Sequence, residues 1–260
     1  VTVEDEWGTP VDAEKLQSAL AQHPNAKIVA FVHAETSTGV CSDAKTLCAM
    51  AAEAGCLSIV DSVTGLAGVE VLVDDWGADV TYSGTQKCLS APPGISLITF
   101  SENAAARVQS RNTPVQSWFL DLSLLMAYWQ GEGARTYHHT APVNAMYGLH
   151  EALLMVKEEG IETAWQRHRE MHGLLAQGVL SLGLDFVVAE DCRLPQLNLV
   201  RCPEGLDEGA VRKRLLHEYN LEIGAGLGAF AGKVWRIGLM GYSARRENIE
   251  LCISALRSCI

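Results

Sequence analysis

The strongest constraint in this chain is the way short apolar runs alternate with helix-patterned segments over its first hundred residues. Ala26–Val32 is a nearly unbroken apolar run, Asp43–Ala54 is Ala-rich and stops at Gly55, and Leu57–Val60 is apolar again. These runs lack the in–out alternation of a half-exposed strand. They predict strands covered on both faces, joined by helices that supply right-handed crossovers in a mostly parallel sheet. Val80–Ser83 and Ile95–Phe100 extend that sheet. Ahead of it, Thr9 and Pro10 followed by Val11, Leu16, Ala19 and Leu20 predict a helix capped at Thr9 and running to about His23.

From Glu102 the texture changes. Helical patterns cover Glu102–Arg111, Leu122–Gln130 and Val143–Glu159, and beyond Gly160 a long amphipathic helix is expected over Ile161–Leu182. Strand candidates at Phe186–Val188, Leu197–Arg201, Leu221–Ile223 and Val234–Ile237 then interleave with helices at Glu208–Tyr219 and Arg245–Cys259. The expected fold class is α/β: a three-layer, mostly parallel sheet domain over residues 1–159 and a smaller α+β domain over 160–260.

Composition narrows the function classes. Hydrophobic residues at 48%, charged residues at 20%, 23 Gly and 8 Pro exclude a disordered or collagen-like chain. A net charge of −11 offers no overall positive field to a polyanion, so nucleic acid is not the expected partner. The eight cysteines, at 41, 48, 56, 88, 192, 202, 252 and 259, form no CxxC pair and read as reduced intracellular thiols. Neither a membrane-length apolar run nor a signal-peptide pattern is present, so a soluble intracellular protein is expected, cytoplasmic by default.

In open α/β sheets functional groups gather beyond the carboxyl ends of the strands. Three polar clusters follow strand candidates directly: His33-Ala34-Glu35-Thr36-Ser37-Thr38-Gly39, Asp61-Ser62-Val63, and Ser83-Gly84-Thr85-Gln86-Lys87. A fourth, Trp235-Arg236-Ile237-Gly238, lies in the second part. Taken singly, His33 reads as a satisfied near-core histidine, Asp61 as a turn residue and Lys87 as a solvated amine. Together they suggest Schiff-base chemistry, because a strand-end pocket desolvates a lysine enough to make it nucleophilic. Pyridoxal phosphate asks for a carboxylate on its ring nitrogen, donors for its phosphate and a positioned base. Asp61, then Thr85 with Gln86, then Lys87 meet those three demands.

These residues, with Tyr137-His138-His139-Thr140 and Arg236-Ile237-Gly238-Leu239, resemble the class V aminotransferases, and most closely the alanine–glyoxylate and serine–pyruvate group. The resemblance extends over essentially the whole chain. It implies the large-domain fold of type I pyridoxal-phosphate enzymes, in partial form, and transfer of an amino group from a small amino acid to glyoxylate or pyruvate. It implies that Lys87 forms the Schiff base with pyridoxal phosphate and that Asp61 pairs with the ring nitrogen. Thr36 would place its hydroxyl by the ring, Val63 would pack on one ring face, and Gln86 would contact the phosphate. Tyr137 and Thr140 would complete the phosphate site of a neighbouring subunit, so a homodimer is implied, and Arg236 would hold the substrate carboxylate. The family's Gly-rich phosphate turn and stacking aromatic lie upstream of the strand at Ala26, and Trp7 does not replace the latter. The chain therefore reads as a C-terminal part of such an enzyme. Two other readings stand beside transamination: another class V activity such as a lyase or desulfurase, and an inactive fold remnant that serves only in dimerisation.

Other motifs weigh less. Gly224-Ala225-Gly226-Leu227-Gly228 departs from dinucleotide-binding spacing and reads as a bend. His138-His139 is not expected to hold zinc, on the argument that adjacent side chains diverge and no further ligand stands at the right spacing. Cys88 reads as a small buried hydrophobe.

Overall fold

A computed structural model describes residues 1–130 and 136–260. Helix α1 spans Ala13–Gln22, not Pro10–His23. Its cap is Asp12, whose carboxylate accepts from the Glu14 and Lys15 amides at 2.8 and 3.2 Å. Thr9 is spent elsewhere, donating its hydroxyl to the Glu6 carbonyl at 2.7 Å.

Strand β1 (Ile28–Val32) leads into a small hairpin of β2 (Ala34–Glu35) and β3 (Val40–Cys41). Helix α2 (Ala44–Glu53) is capped by Asp43 and returns the chain to β4 (Leu57–Asp61). The short α3 (Val73–Trp76), β5 (Val80–Gly84) and β6 (Ser96–Phe100) complete a sheet of order β1-β4-β5-β6. The first two pairings are parallel and the last is antiparallel, which is the mostly parallel sheet expected. Coverage of both faces is not general. Ile28 on β1 and Ile98 on β6 are 54% and 47% exposed, because edge strands meet fewer neighbours than β4 and β5 do.

Strand register sets which side chains share an end of this sheet. Val32 lies opposite Asp61, and Asp61 opposite Tyr82. The carboxyl ends of three parallel strands therefore open on one rim.

Beyond β6 come α4 (Glu102–Gln109), α5 (Leu122–Gln130), α6 (Val143–Glu159) and α7 (Ile161–Ser181). A second, antiparallel sheet of order β7-β9-β8 is built from β7 (Leu197–Arg201), β8 (Gly224–Ala225) and β9 (Val234–Gly238), with α8 (Glu208–Tyr219) and α9 (Arg246–Cys259) around it. Its core centres on Trp235, fully buried with Leu175, Leu215, Val200 and Leu256. Two expected strands are corrected. Phe186–Val188 contributes a single bridge, Phe186 to Val200, and the Arg193 guanidinium lies over the Phe186 ring. Leu221–Ile223 only leads into β8, with Ile223 turned into the core and pairing beginning at Gly224. Among the described residues no helix is long and apolar enough to cross a membrane.

Candidate active site

The rim is assembled by backbone continuity. The His33 amide donates to the Asp61 carbonyl at 2.9 Å, extending the β1–β4 ladder by one rung, and the hairpin beyond it carries Thr36 at its turn. Gly39 allows that turn, with φ at +78° and the Leu197 carbonyl packed where a Cβ would stand. His33 itself is a held core residue. Its Nδ1 meets the Ser42 carbonyl at 2.8 Å, its ring tilts against Trp76, and burial lowers its pKa. Glu35 accepts from the Ser37 amide and hydroxyl, closing a local turn.

Asp61 ends β4 with both carboxylate oxygens engaged. Oδ1 accepts the Val63 amide at 2.8 Å, and Oδ2 accepts the Tyr82 hydroxyl at 2.7 Å. The two bonds fix the orientation of the carboxylate. The Tyr82 phenol is pushed up to about 12, by burial first and then by donating to Asp61.

Lys87 lies on the loop after β5. The Ala91 amide bonds the Thr85 carbonyl at 3.1 Å and the Ser90 amide bonds the Lys87 carbonyl at 3.0 Å, so the loop is closed at its base and at its tip. Cys88 is buried beneath it, its Sγ 3.7 Å from the Thr64 carbonyl, and burial drives its thiol up to about 12. This ties the Lys87 loop to the segment after Asp61. Lys87 is half-buried, and among the described residues its ammonium has no hydrogen bond or ion pair. Thr85 corrects the sequence reading. It is fully buried and donates to the Pro92 carbonyl at 2.7 Å, so its hydroxyl is not free for a phosphate, whereas Gln86 is exposed.

Arg236 reaches the rim from β9. Its Nε donates to the Ala225 carbonyl at 2.7 Å and its Nη1 to the Thr36 carbonyl at 3.1 Å, across 200 residues of sequence. Among the described residues no carboxylate pairs with it, so it does not serve as an ion-pair partner there. The two backbone bonds fix the plane of the guanidinium, and Nη2 with the second Nη1 hydrogen remains for a ligand.

Thr36, Asp61, Val63, Gln86, Lys87 and Arg236 are thus placed on or against one rim. Tyr137 and Thr140 are exposed and bond each other, hydroxyl to hydroxyl, at 2.5 Å; among the described residues no hydrogen bond ties them to that rim. His138 and His139 do not diverge as expected. Their Nδ1 atoms meet at 2.8 Å while His138 stacks on Trp118, although among the described residues no third His, Cys, Asp or Glu joins them. In the glycine-rich stretch, Gly224 and Ala225 pair with Arg236 and Trp235 of β9, so the bend carries the acceptor that orients Arg236. Tyr82 escaped the sequence reading, because its partnership with Asp61 depends on the register between β4 and β5.

The chain matches the model of the family described as aminotransferase class V over residues 3–250. It is 37% identical to the (S)-ureidoglycine–glyoxylate transaminase of Bacillus subtilis, over 99% of this chain and 66% of that protein. It is 40% identical to the alanine–glyoxylate aminotransferase of Rattus norvegicus, over 95% of this chain and 60% of that protein. The chain thus spans less than two thirds of the length of these curated relatives. Among solved structures, an alanine–glyoxylate aminotransferase from Nostoc sp. superposes with a TM-score of 0.94 at 44% identity, covering 98% of this chain and 67% of that one. A cysteine desulfurase from Thermococcus onnurineus, 15% identical with a TM-score of 0.76 over 98% of this chain and 64% of that one, shares the fold. The chain belongs to the class V aminotransferases.

Proposed function

We propose that this protein transfers an amino group between a small amino acid, alanine or serine, and glyoxylate or pyruvate, with pyridoxal phosphate as cofactor. The observation that carries the reading is the grouping on one rim of an amine without a partner among the described residues, a carboxylate held by two donors, and an arginine without a carboxylate partner there. The names of the Bacillus and rat relatives support glyoxylate as the acceptor.

The donor set fits pyridoxal phosphate. Lys87 would hold its aldehyde carbon, Asp61 its protonated ring nitrogen, and Gln86 its phosphate; Thr36 and Val63 would flank the ring. When bound, the cofactor supplies an electron-withdrawing ring that lowers the cost of removing a proton from the carbon next to the amine. Asp61, its carboxylate oriented by the Val63 amide and the Tyr82 hydroxyl, would accept the ring-nitrogen proton's hydrogen bond. Arg236 grips the substrate carboxylate and sets which bond of the α-carbon faces Lys87. Lys87 would take the substrate's α-proton as general base and, once protonated, would give a proton back as general acid. Water would then be consumed to release the keto acid while the amino group is retained, and the second substrate would run the same steps in reverse.

The reading includes a homodimer in which Tyr137 and Thr140 serve the neighbouring subunit's phosphate site. The exposure of Tyr137 and Thr140, and of Trp118, Phe119, Leu120 and Trp129, supports this. It also divides the chain at Gly160, supported by a core cluster drawn from Leu175 onward. The free cysteines support a reducing intracellular compartment, the cytoplasm by default.

Assaying amino transfer from alanine to glyoxylate in wild type and Lys87→Ala tests the proposal. Loss of a general base predicts a fall in rate of about 10²- to 10⁴-fold. A variant that turns over like wild type would remove Lys87 from the mechanism.

A further inference from the structure

The loop that carries Lys87 is held at its far end by a residue in an uncommon conformation. Ser90 has φ +58°, in the left-handed region that non-glycine residues seldom occupy. That backbone turns its side chain toward the Gly241–Ser243 turn, where Ser90 Oγ accepts the Tyr242 amide at 2.8 Å. The approach is close. Gly241 has φ +55°, and a Cβ there would overlap both Ser90 Oγ and the Cys88 carbonyl.

The turn that Ser90 meets is itself clamped. The Gly241 amide donates to His168 Nε2 at 2.9 Å, so the His168 proton lies on Nδ1, donated to the Ala164 carbonyl at 2.6 Å. Arg167 Nη1 donates to the Gly241 carbonyl at 2.7 Å, and the same guanidinium forks onto Glu159. On the outer side the Arg245 guanidinium covers the Tyr242 ring at 3.2 Å. A clamped turn therefore faces the tip of the Lys87 loop, joined to it by Ser90 Oγ and by the contact of Cys88 with the Gly241 backbone.

We propose that Ser90 is a positioning residue for Lys87: its hydroxyl, on the Tyr242 amide, pins the far end of the loop that carries the Lys87 amine beyond β5. This rests on the proposed role of Lys87 and adds a residue that touches neither substrate nor cofactor. The strain at Ser90 is retained because relaxing it would turn Oγ away from Tyr242. Ser90→Ala keeps the strain and loses the acceptor, Ser90→Gly loses both, and Ser90→Asn tolerates the left-handed backbone while offering a carbonyl oxygen in place of the hydroxyl.

The test uses the 260-residue chain in two labelling experiments read by mass spectrometry, with melting temperatures measured beside them. In the first, trace acetic anhydride reports the reactivity of Lys87 relative to the other lysines, without cofactor. Ser90→Ala and Ser90→Gly should each raise it about fivefold, the population change that one ordinary hydrogen bond controls, and Ser90→Asn should match wild type. In the second, borohydride trapping of pyridoxal phosphate on Lys87 should slow about fivefold in the same two variants. A merely structural Ser90 predicts that Ser90→Gly, relieved of strain, labels and traps like wild type. That result, or changes that follow the melting temperatures, would overturn the proposal. Wild type that fails to trap at Lys87, while anhydride reactivity still responds to Ser90, would sink the cofactor reading and leave the positioning role supported.

Discussion

Arg236 shows how a single side chain can be prepared for a ligand before one arrives. Bonds to Ala225 and Thr36 consume two donors and orient the rest, so what remains is a planar pair of N–H groups. A lysine offers a point charge and cannot reproduce this fork. Arg236→Lys should lower kcat/KM for alanine by about 10- to 100-fold, the worth of charge-assisted bonds, mainly through KM. The same variant should leave the rate with an amine donor lacking a carboxylate nearly unchanged. Steady-state kinetics with both donors decides it, and equal losses would remove Arg236 from carboxylate binding. At this scale the places of Lys87, Asp61 and Arg236, after strands or on a late strand, were legible, because each stands in a polar cluster next to an apolar run; the roles given them are proposed. Tyr82 and Ser90 were not. One is defined by cross-strand register and the other by a backbone angle and a partner 152 residues away.

Elements were legible where they were long. The strands at Leu57 and Leu197, and helices α6 to α9, stand where the patterns placed them, within a residue or two. The β2–β3 hairpin and β8 were missed because two-residue strands carry no periodicity. Phe186–Val188 shows the converse, an apolar run that meets β7 through a single bridge and forms no strand of its own. The start of α1 was misplaced because Thr9-Pro10 and Asp12 are both good starts, and only the folded chain shows Thr9 occupied by Glu6. The cap can be tested directly. Asp12→Ala should cost about 1 kcal/mol in urea unfolding, while Thr9→Ala should cost less, since Thr9 caps nothing. Equal costs would return the cap to Thr9.

Across the whole molecule the contacts that build the site join distant stretches of chain, which is why their arrangement could not be read from local pattern. Gln196 Nε2 reaches the Thr64 carbonyl, Arg236 reaches Thr36, and His168 receives Gly241. Three histidines, the buried His33 and His168 and the half-buried His172, share one consequence. Burial is the leading cause that lowers each pKa, so the folded state binds fewer protons than the unfolded chain, whose histidines titrate near about 6.5. Their contribution to stability is complete above that pH and is lost as pH falls through the folded values. Asp43 and Glu159 are also held low, chiefly by bonds from Thr46 and Arg167, and their loss begins only in the carboxylate range. The urea midpoint should therefore drop between pH 7.5 and 5.5, and His168→Gln should shrink that drop; identical midpoints would contradict it. The central claim, that Lys87 is the amine on which pyridoxal phosphate is carried, is tested most directly by incubating the chain with the cofactor, reducing with borohydride and mapping the tagged peptide. The account predicts a phosphopyridoxyl group on Lys87 in wild type, greatly diminished in Asp61→Ala, whereas a tag spread over surface lysines with Lys87 untouched would contradict it.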